Sequence, residues 1–114
     1  MLLWDALRIR KIASDPLKIS ATLRLLADLH FSKDENMHAA LFYEECARHL
    51  KEHDILDPHL PLVLIDLART KDRLGEYAES MNFFEEALNM YRRALNSDDD
   101  RIASLQYEMG VSKQ

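Results

Sequence analysis

Glycine, proline and cysteine are scarce in this 114-residue sequence, which holds two glycines, three prolines and a single cysteine, Cys46. Glycine and proline are the residues that most often interrupt helices, whereas Ala, Leu, Glu, Lys and Arg are abundant here, so the composition predicts an all-α domain. A lone cysteine excludes an internal disulfide bond and fits a reducing compartment, so we expect cytoplasmic localisation.

The sequence also lacks an excess of basic residues and a long apolar run. Its 20 acidic residues outnumber the 15 lysines and arginines, giving a formal net charge of −5. This charge opposes a phosphate backbone, so we expect no nucleic-acid partner. Asp5 and Arg8 interrupt the apolar opening residues 1–4 before a signal peptide or a membrane span can form. We therefore expect no targeting segment and no membrane partner.

Turn and cap signals divide the chain into about six helical segments, in which apolar residues recur at intervals of three and four. Asp15-Pro16 and Asp57-Pro58 each place an acceptor side chain before a proline, which is typical of a capped first helical turn. The acidic run 98–100 is interpreted in the same way, as a capped helix start rather than a metal-binding loop. The breaks lie near residues 14–16, 32–34, 53–58, 74–76 and 96–100.

Comparison of the sequence with itself reveals a repeat with a period of about 41 residues. Leu26-Ala27 recurs as Leu67-Ala68, and Tyr43 recurs as Phe84. Most pairs keep their size class, as packing requires: small where two helices cross, aromatic where a gap must be filled. The other pairs are Leu23 and Leu64, Ala39 and Ser80, Glu44-Glu45 and Glu85-Glu86, and Cys46 and Ala87.

The register continues beyond both complete copies. One antiparallel helix hairpin cannot bury its own apolar face, so the copies must stack into a solenoid. We predict a single domain with a half repeat (1–14), two repeats (15–56 and 57–98) and a half repeat (99–114). The residues that extend the register are Asp57, Leu60, Leu67 and Ala68, which reappear one period later as Asp99, Ile102, Met109 and Gly110, and Leu3, Ala6 and Leu7, which lie two periods before Phe84, Ala87 and Leu88.

The second copy resembles a tetratricopeptide repeat, and the resemblance implies a right-handed α-solenoid of antiparallel helix hairpins. The stretch from Asp57 to Ala68 and the long period, which reaches about 42 residues, are similar to the longer repeats of kinesin light chain and its relatives. The first copy departs from the pattern, because Asp34 and Asn36 replace the Gly-x-Tyr turn. The matching residues of the second copy are Leu67-Ala68, Leu74-Gly75-Glu76-Tyr77, Ser80, Phe84 and Ala87.

Tetratricopeptide arrays bind an extended peptide or a helix on a concave surface formed by the first helix of each hairpin. The resemblance therefore implies an adaptor or scaffold with a protein or peptide partner, in which arginines pair with acidic side chains of that partner. An alternative interpretation is a solvated face with intrahelical ion pairs such as Asp66 with Arg69. The predicted concave residues are Arg24, Asp28, Phe31, Ile65, Asp66, Arg69, Arg73 and Tyr107, with Leu25, Glu108 and Val111 beside them.

Two binding modes of the family are not expected here. Kinesin-light-chain repeats carry adjacent asparagines before the Leu-Ala pair, where this chain has Arg24-Leu25, Ile65-Asp66 and Tyr107-Glu108. Other members clamp a terminal carboxylate with Lys, Asn and Arg, but acidic residues intrude among those positions in this chain.

The incomplete terminal repeats support a second hypothesis, an assembly element. The first and last helices each lack a neighbour and would expose apolar faces, which monomers usually avoid. Such faces complete one another in a homo-oligomer, or they are the cut faces of a longer protein. The residues concerned are Leu3 and Leu7 at one end and Ile102, Leu105 and Met109 at the other.

A zinc-dependent enzyme is the third hypothesis, because Cys46, His49 and His53 fall on neighbouring turns of one helix. Cys46 takes the position of Ala87 in the next copy, however, which favours a small core residue. His30 and His38 are interpreted as surface or helix-boundary residues. The sequence has no phosphate-binding loop, His-Glu-x-x-His motif or nucleophile elbow. We therefore expect no catalytic residue, no metal and no cofactor.

Overall fold

The computed structural model describes residues 15–54, 59–96 and 98–113, the last three of them by their backbone alone. Within these residues the chain forms five α-helices and no strand. The sixth predicted helix falls in the half repeat 1–14, which lies outside the described residues. The helices are α1 (Pro16–Ser32), α2 (Asn36–Glu52), α3 (His59–Arg73), α4 (Tyr77–Ala94) and α5 (Asp100–Lys113).

Two of the three predicted caps are observed, and the third, Asp57-Pro58, lies outside the described residues. Asp15 accepts a hydrogen bond from the backbone N–H of Lys18 at 3.3 Å, and Pro16 occupies the first turn of α1. Asp99 accepts one from the N–H of Arg101 at 2.9 Å, at the start of α5. Hydrogen bonds from the side chain and the N–H of Arg101 also lower the pKa of Asp99. The acidic run is thus a helix cap.

The α1–α2 and α3–α4 connections have the same backbone turn. The N–H of Glu35 donates to the carbonyl of His30 at 2.8 Å, and the N–H of Glu76 donates to that of Lys71 at 2.9 Å. One residue of each turn is left-handed: Asp34, with φ of 63°, and Gly75, with φ of 80°. Asp34 fills the role of the glycine, at a conformational cost that glycine avoids.

Each helix packs against the next one along the chain, so the two hairpins and α5 form a stack with a continuous core. Small residues lie where helices cross, and Tyr43 and Phe84 fill equivalent positions in the two hairpins. This arrangement confirms the all-α helical-repeat solenoid. The small buried residues at equivalent positions of the two hairpins are Ala27 and Ala68, Ala39 and Ser80, and Cys46 and Ala87.

Candidate partner-binding face

The first helices of successive hairpins, α1 and α3, are joined by an ion pair. Arg24 on α1 donates from Nη2 to Oδ2 of Asp66 on α3 at 3.1 Å. The two residues occupy positions one repeat length apart, so the register of the stack brings them together. The pair lies on the surface predicted to be concave.

A second ion pair joins α3 to α5. The guanidinium of Arg69 binds both carboxylate oxygens of Glu108, with 2.9 Å between Nη2 and Oε1, and Nη1 lies 3.5 Å from Oδ1 of Asp66. Hydrogen bonding to Glu108 raises the pKa of Arg69. Arg24, Asp66, Arg69 and Glu108 therefore form a row of alternating charges across three helices, which we call the ionic row.

Arg73 stacks on Phe31 at the end of α1. Its Cζ atom lies 3.8 Å from the centre of the Phe31 ring, which is a cation–π contact. Nη1 donates to the carbonyl of Phe31 at 3.4 Å and lies 3.6 Å from Oδ1 of Asp34. Asp34 is 82% exposed, so this ion pair is easily replaced.

A buried tyrosine reaches the same face from α2. The Tyr43 hydroxyl donates a hydrogen bond to Oδ1 of Asp28. Burial, and then this bond to an anion, raise the pKa of Tyr43, which favours the protonated hydroxyl that donates to Asp28. Tyr43 thereby fixes the Asp28 carboxylate at the base of the face.

These side chains enclose a groove of about 370 Å³ between α1 and α3. Five of the eight predicted concave residues line it: Asp28, Phe31, Asp66, Arg69 and Arg73. Ser32 and Tyr43 also line it but were not predicted. Tyr43 was assigned to the core alone; the signal was its hydroxyl, which the equivalent Phe84 lacks and which needs a hydrogen-bond partner when buried.

The other three predicted residues lie elsewhere on the surface or inside it. Arg24 lines a neighbouring groove of about 380 Å³, together with Leu17, Ala21, Leu25 and Val63. Ile65 is only 9% exposed and belongs to the core cluster, so it offers little contact area. Tyr107 is 77% exposed on α5 and lines neither groove.

The electrostatics of the face are nearly balanced, because three arginines stand among three carboxylates. Burial raises the pKa of Asp66, and it outweighs the opposing effects of Arg24 and Arg69. If a partner drew Arg24 or Arg69 away from Asp66, the pKa of Asp66 would rise further, because a nearby positive charge would be lost. The six charged groups are Arg24, Arg69 and Arg73, and Asp28, Asp66 and Glu108.

The residues predicted for self-association are placed differently at the two ends. Ile102 and Leu105 are buried in the core cluster, and Met109 packs against it, so the apolar face expected to be open at α5 is covered. Leu3 and Leu7 lie outside the described residues. Five large apolar side chains of the first hairpin are exposed: Leu17, Leu25, Leu29, Met37 and Leu41.

The proposed zinc ligands on α2 do not converge on one point. Cys46 is buried, and its Sγ donates to the carbonyl of Ser20 at 3.3 Å. His49 Nε2 lies 3.0 Å from the carbonyl oxygen of Pro16, and His53 Nδ1 lies 3.0 Å from that of His49. Burial raises the pKa of the Cys46 thiol to about 12, which makes it a poor metal ligand.

A comparison with models of known protein families gives a match that falls mainly on the second hairpin. Residues 63–100 match the family model described as tetratricopeptide repeat. The match begins within α3, includes all of α4 and ends at the first residue of α5. No curated protein matches the sequence significantly. Among the described helices, none is both long and apolar enough to span a membrane.

Proposed function

We propose that the chain is an adaptor that binds a partner segment in the groove between α1 and α3. Its residues 63–100 match the tetratricopeptide-repeat model, and proteins built from this repeat are generally non-enzymatic scaffolds for proteins or peptides. The observation that carries this proposal is the meeting of Phe31, Arg69 and Arg73 around one groove, with aromatic surface and guanidinium donors side by side. Such a groove fits a short acidic segment with an apolar side chain.

Arg73 is the arginine best suited to contact the partner. Its ion pair with the exposed Asp34 is long, and the Phe31 ring holds the guanidinium in place, so exchange of Asp34 for a partner carboxylate costs little. Arg69, by contrast, binds both oxygens of Glu108 and also approaches Asp66. A partner would have to break several charge-assisted hydrogen bonds to recruit it.

The adaptor proposal is tested with a phage-displayed library of random peptides selected on the full chain. We expect the selected peptides to be rich in Asp and Glu, and their affinity, measured by fluorescence polarisation, to fall at least about tenfold in Arg73→Glu, because a like charge replaces the attractive one. Arg48→Glu on α2 is the matched control, since Arg48 is exposed and, within the described residues, pairs with Glu45 and Glu52 of its own helix. Equal affinity for wild type and Arg73→Glu would exclude the groove.

Self-association is a second candidate function, favoured by the exposed apolar residues of the first hairpin. In the second hairpin the positions equivalent to Leu25 and Leu41 are Asp66 and Asn82. Asp66 pairs with α1, and Asn82 lines a groove with Glu44 and Lys51 of α2, so both positions face the preceding hairpin. Leu25 and Leu41 therefore present an apolar face on the N-terminal side of the stack, and a second copy of the chain would bury it.

Light scattering of the full chain over a range of concentrations tests self-association. We expect oligomers that dissociate in the double variant Leu25→Asp, Leu41→Asp and persist in Tyr77→Asp, which alters an exposed aromatic residue of α4. The single tryptophan, Trp4, supplies a further measurement. A monomeric wild type whose Trp4 emission moves to longer wavelength in the double variant would overturn the oligomer and assign the face to residues 1–14 of the same chain.

A further inference from the structure

The turn between α1 and α2 brings together three side chains that commonly bind metals: His30, Glu35 and His38. Each offers a ligand atom, and these atoms all lie within 4.8 Å of one another. Nδ1 of His30 is 3.0 Å from Oε1 of Glu35, and the His30 and His38 rings stack with their centres 5.3 Å apart. This is the one such group among the described parts of the chain.

The backbone turn, rather than the identity of the side chains, brings these three positions close together. The equivalent residues of the second hairpin, one repeat later, are Lys71, Glu76 and Glu79. There Nζ of Lys71 lies 3.3 Å from Glu76 and 3.0 Å from Glu79. Both turns have the same hydrogen bond, and each has a left-handed residue at the same position, Asp34 or Gly75. The fold therefore holds these three positions within reach of a common centre in each hairpin.

The two hairpins differ in what occupies that centre. In the second, the ammonium group of Lys71 is the cation, held by Glu76, Glu79 and also Glu44 of α2. In the first, an imidazole replaces the lysine and another imidazole replaces Glu79. A neutral imidazole offers a lone pair where lysine offers a fixed positive charge. The first hairpin thus has donors for a cation without a permanent cation of its own.

We propose that His30, Glu35 and His38 form an open three-ligand site for a divalent transition-metal ion of the zinc type, with a fourth position left for water. Two imidazole nitrogens and one carboxylate oxygen are a common donor set for such an ion. Ligands at about 2.0 to 2.2 Å from a tetrahedral zinc lie roughly 3.4 Å apart, so closure requires only a modest inward movement of these atoms. This site is separate from the partner-binding groove.

The environment of the three residues suits that movement. Phe42 stacks on His30 with an angle of 8° between the rings and so fixes the plane of the first ligand. His38 and Glu35 are exposed, so their side chains can rotate to direct their ligand atoms at the ion. The rotation of His38 is necessary, because its ring now lies nearly parallel to that of His30.

Calorimetric titration of the full chain with zinc chloride tests the site. We expect one equivalent to bind, with affinity at least about tenfold weaker in His38→Ala and in Glu35→Gln, because each removes a ligand that contacts the ion. The matched control is His53→Ala, which removes an exposed histidine from the His49–His53 pair at the other end of α2. Affinity equal in all variants, loss of binding in His53→Ala, or absence of binding to wild type would each overturn the proposal.

A second measurement does not depend on any variant being folded. Nitrogen-15 spectra of wild-type imidazoles, recorded with and without zinc, report which rings coordinate the ion. We expect the ring resonances of His30 and His38 to shift while those of His49 and His53 remain in place. Shifts confined to His49 and His53 would contradict the site.

Discussion

Thr70 of α3 is fully buried, whereas the residue at the equivalent position of α1, Leu29, is 48% exposed. The inversion continues one turn earlier, where Asp66 is paired with Arg24 but Leu25 is exposed. A polar residue is therefore covered in the second hairpin while an apolar one is uncovered in the first. The comparison teaches that a position in this stack is buried by the neighbouring hairpin, and that its polarity alone does not predict its burial.

The turns of the two hairpins differ in a related way. The second uses Gly75 and a lysine held by three carboxylates, and the first uses Asp34 and a histidine pair with one carboxylate. Both turns have the same hydrogen bonds, so the backbone is common and only the chemistry of the side chains changes. Substitutions at equivalent positions of the two hairpins therefore distinguish effects of the shared backbone from effects of the differing side chains.

The largest effect is expected in the shared aromatic position. Phe84→Ala should lower the free energy of unfolding by about 3–5 kcal/mol, because a fully buried ring is replaced by a cavity at the centre of the second hairpin. Urea denaturation followed by circular dichroism measures it. Tyr77→Ala, an exposed aromatic residue of the same helix, should change the value by less than about 0.5 kcal/mol. Equal losses would mean that the ring of Phe84 is not packed as described.

A smaller loss is expected when the central lysine is removed. Lys71 is only 12% exposed, and although burial disfavours its charge, hydrogen bonds to Glu79, Glu44 and Glu76 outweigh that effect and raise its pKa. Lys71→Met leaves three carboxylates without their cation, but these can rehydrate, so we expect a loss of about 1–2 kcal/mol that shrinks in high salt. The salt dependence of urea denaturation checks this. No change in stability would show that the ion pairs of Lys71 with the three glutamates do not stabilise the fold.

Exchange of the left-handed residues should move stability in opposite directions. A Cβ atom at Gly75 would meet no atom within 4 Å, so Gly75→Ala carries only the conformational cost of a positive φ and should destabilise by about 1 kcal/mol. Asp34→Gly should stabilise the first turn by up to about 1 kcal/mol as that cost is removed. Thermal denaturation compares them. Destabilisation by Asp34→Gly would mean that the Asp34 contacts with Arg73 and Asn36 outweigh its strain.

The smallest effect near neutral pH is expected at Cys46, which corresponds to Ala87. At pH 8 a thiol with a pKa of about 12 is ionised in only about one molecule in ten thousand, so Cys46 should react with thiol reagents only after unfolding. The unfolded thiol ionises near pH 9, so the contribution of Cys46 to stability is complete below that pH and declines between pH 9 and 12. Cys46→Ala should remove this decline, as urea denaturation in alkaline buffers would show. Rapid labelling of the native chain would contradict the burial.

The described helices, the caps of α1 and α5 and the repeat register were predictable from the sequence, because short-range spacing determines them. Ile65 was expected on the surface but lies in the core, and Ile102 and Leu105 were expected at an open end but are covered. These errors share a cause: burial here depends on which side of a helix its neighbour occupies. The kinesin-light-chain-like subtype stays a prediction, because the family match identifies the repeat alone.

The functional groups were predicted only in part. The row of charges on α1, α3 and α5 followed from the register, but their pairing with one another required the distance between helices. The group of His30, Glu35 and His38 was missed, because their spacing across a turn matches no helical period. The signal was the equivalent Lys71, Glu76 and Glu79, whose opposite charges indicate proximity.

Two bonds of the ionic row join helices that are not consecutive in the chain: Arg24 with Asp66 connects α1 to α3, and Arg69 with Glu108 connects α3 to α5. All its members are partly accessible to solvent, so dissolved ions compete with these bonds. A rise in ionic strength should therefore weaken the contacts of the ionic row between α1, α3 and α5, while the apolar core stays packed.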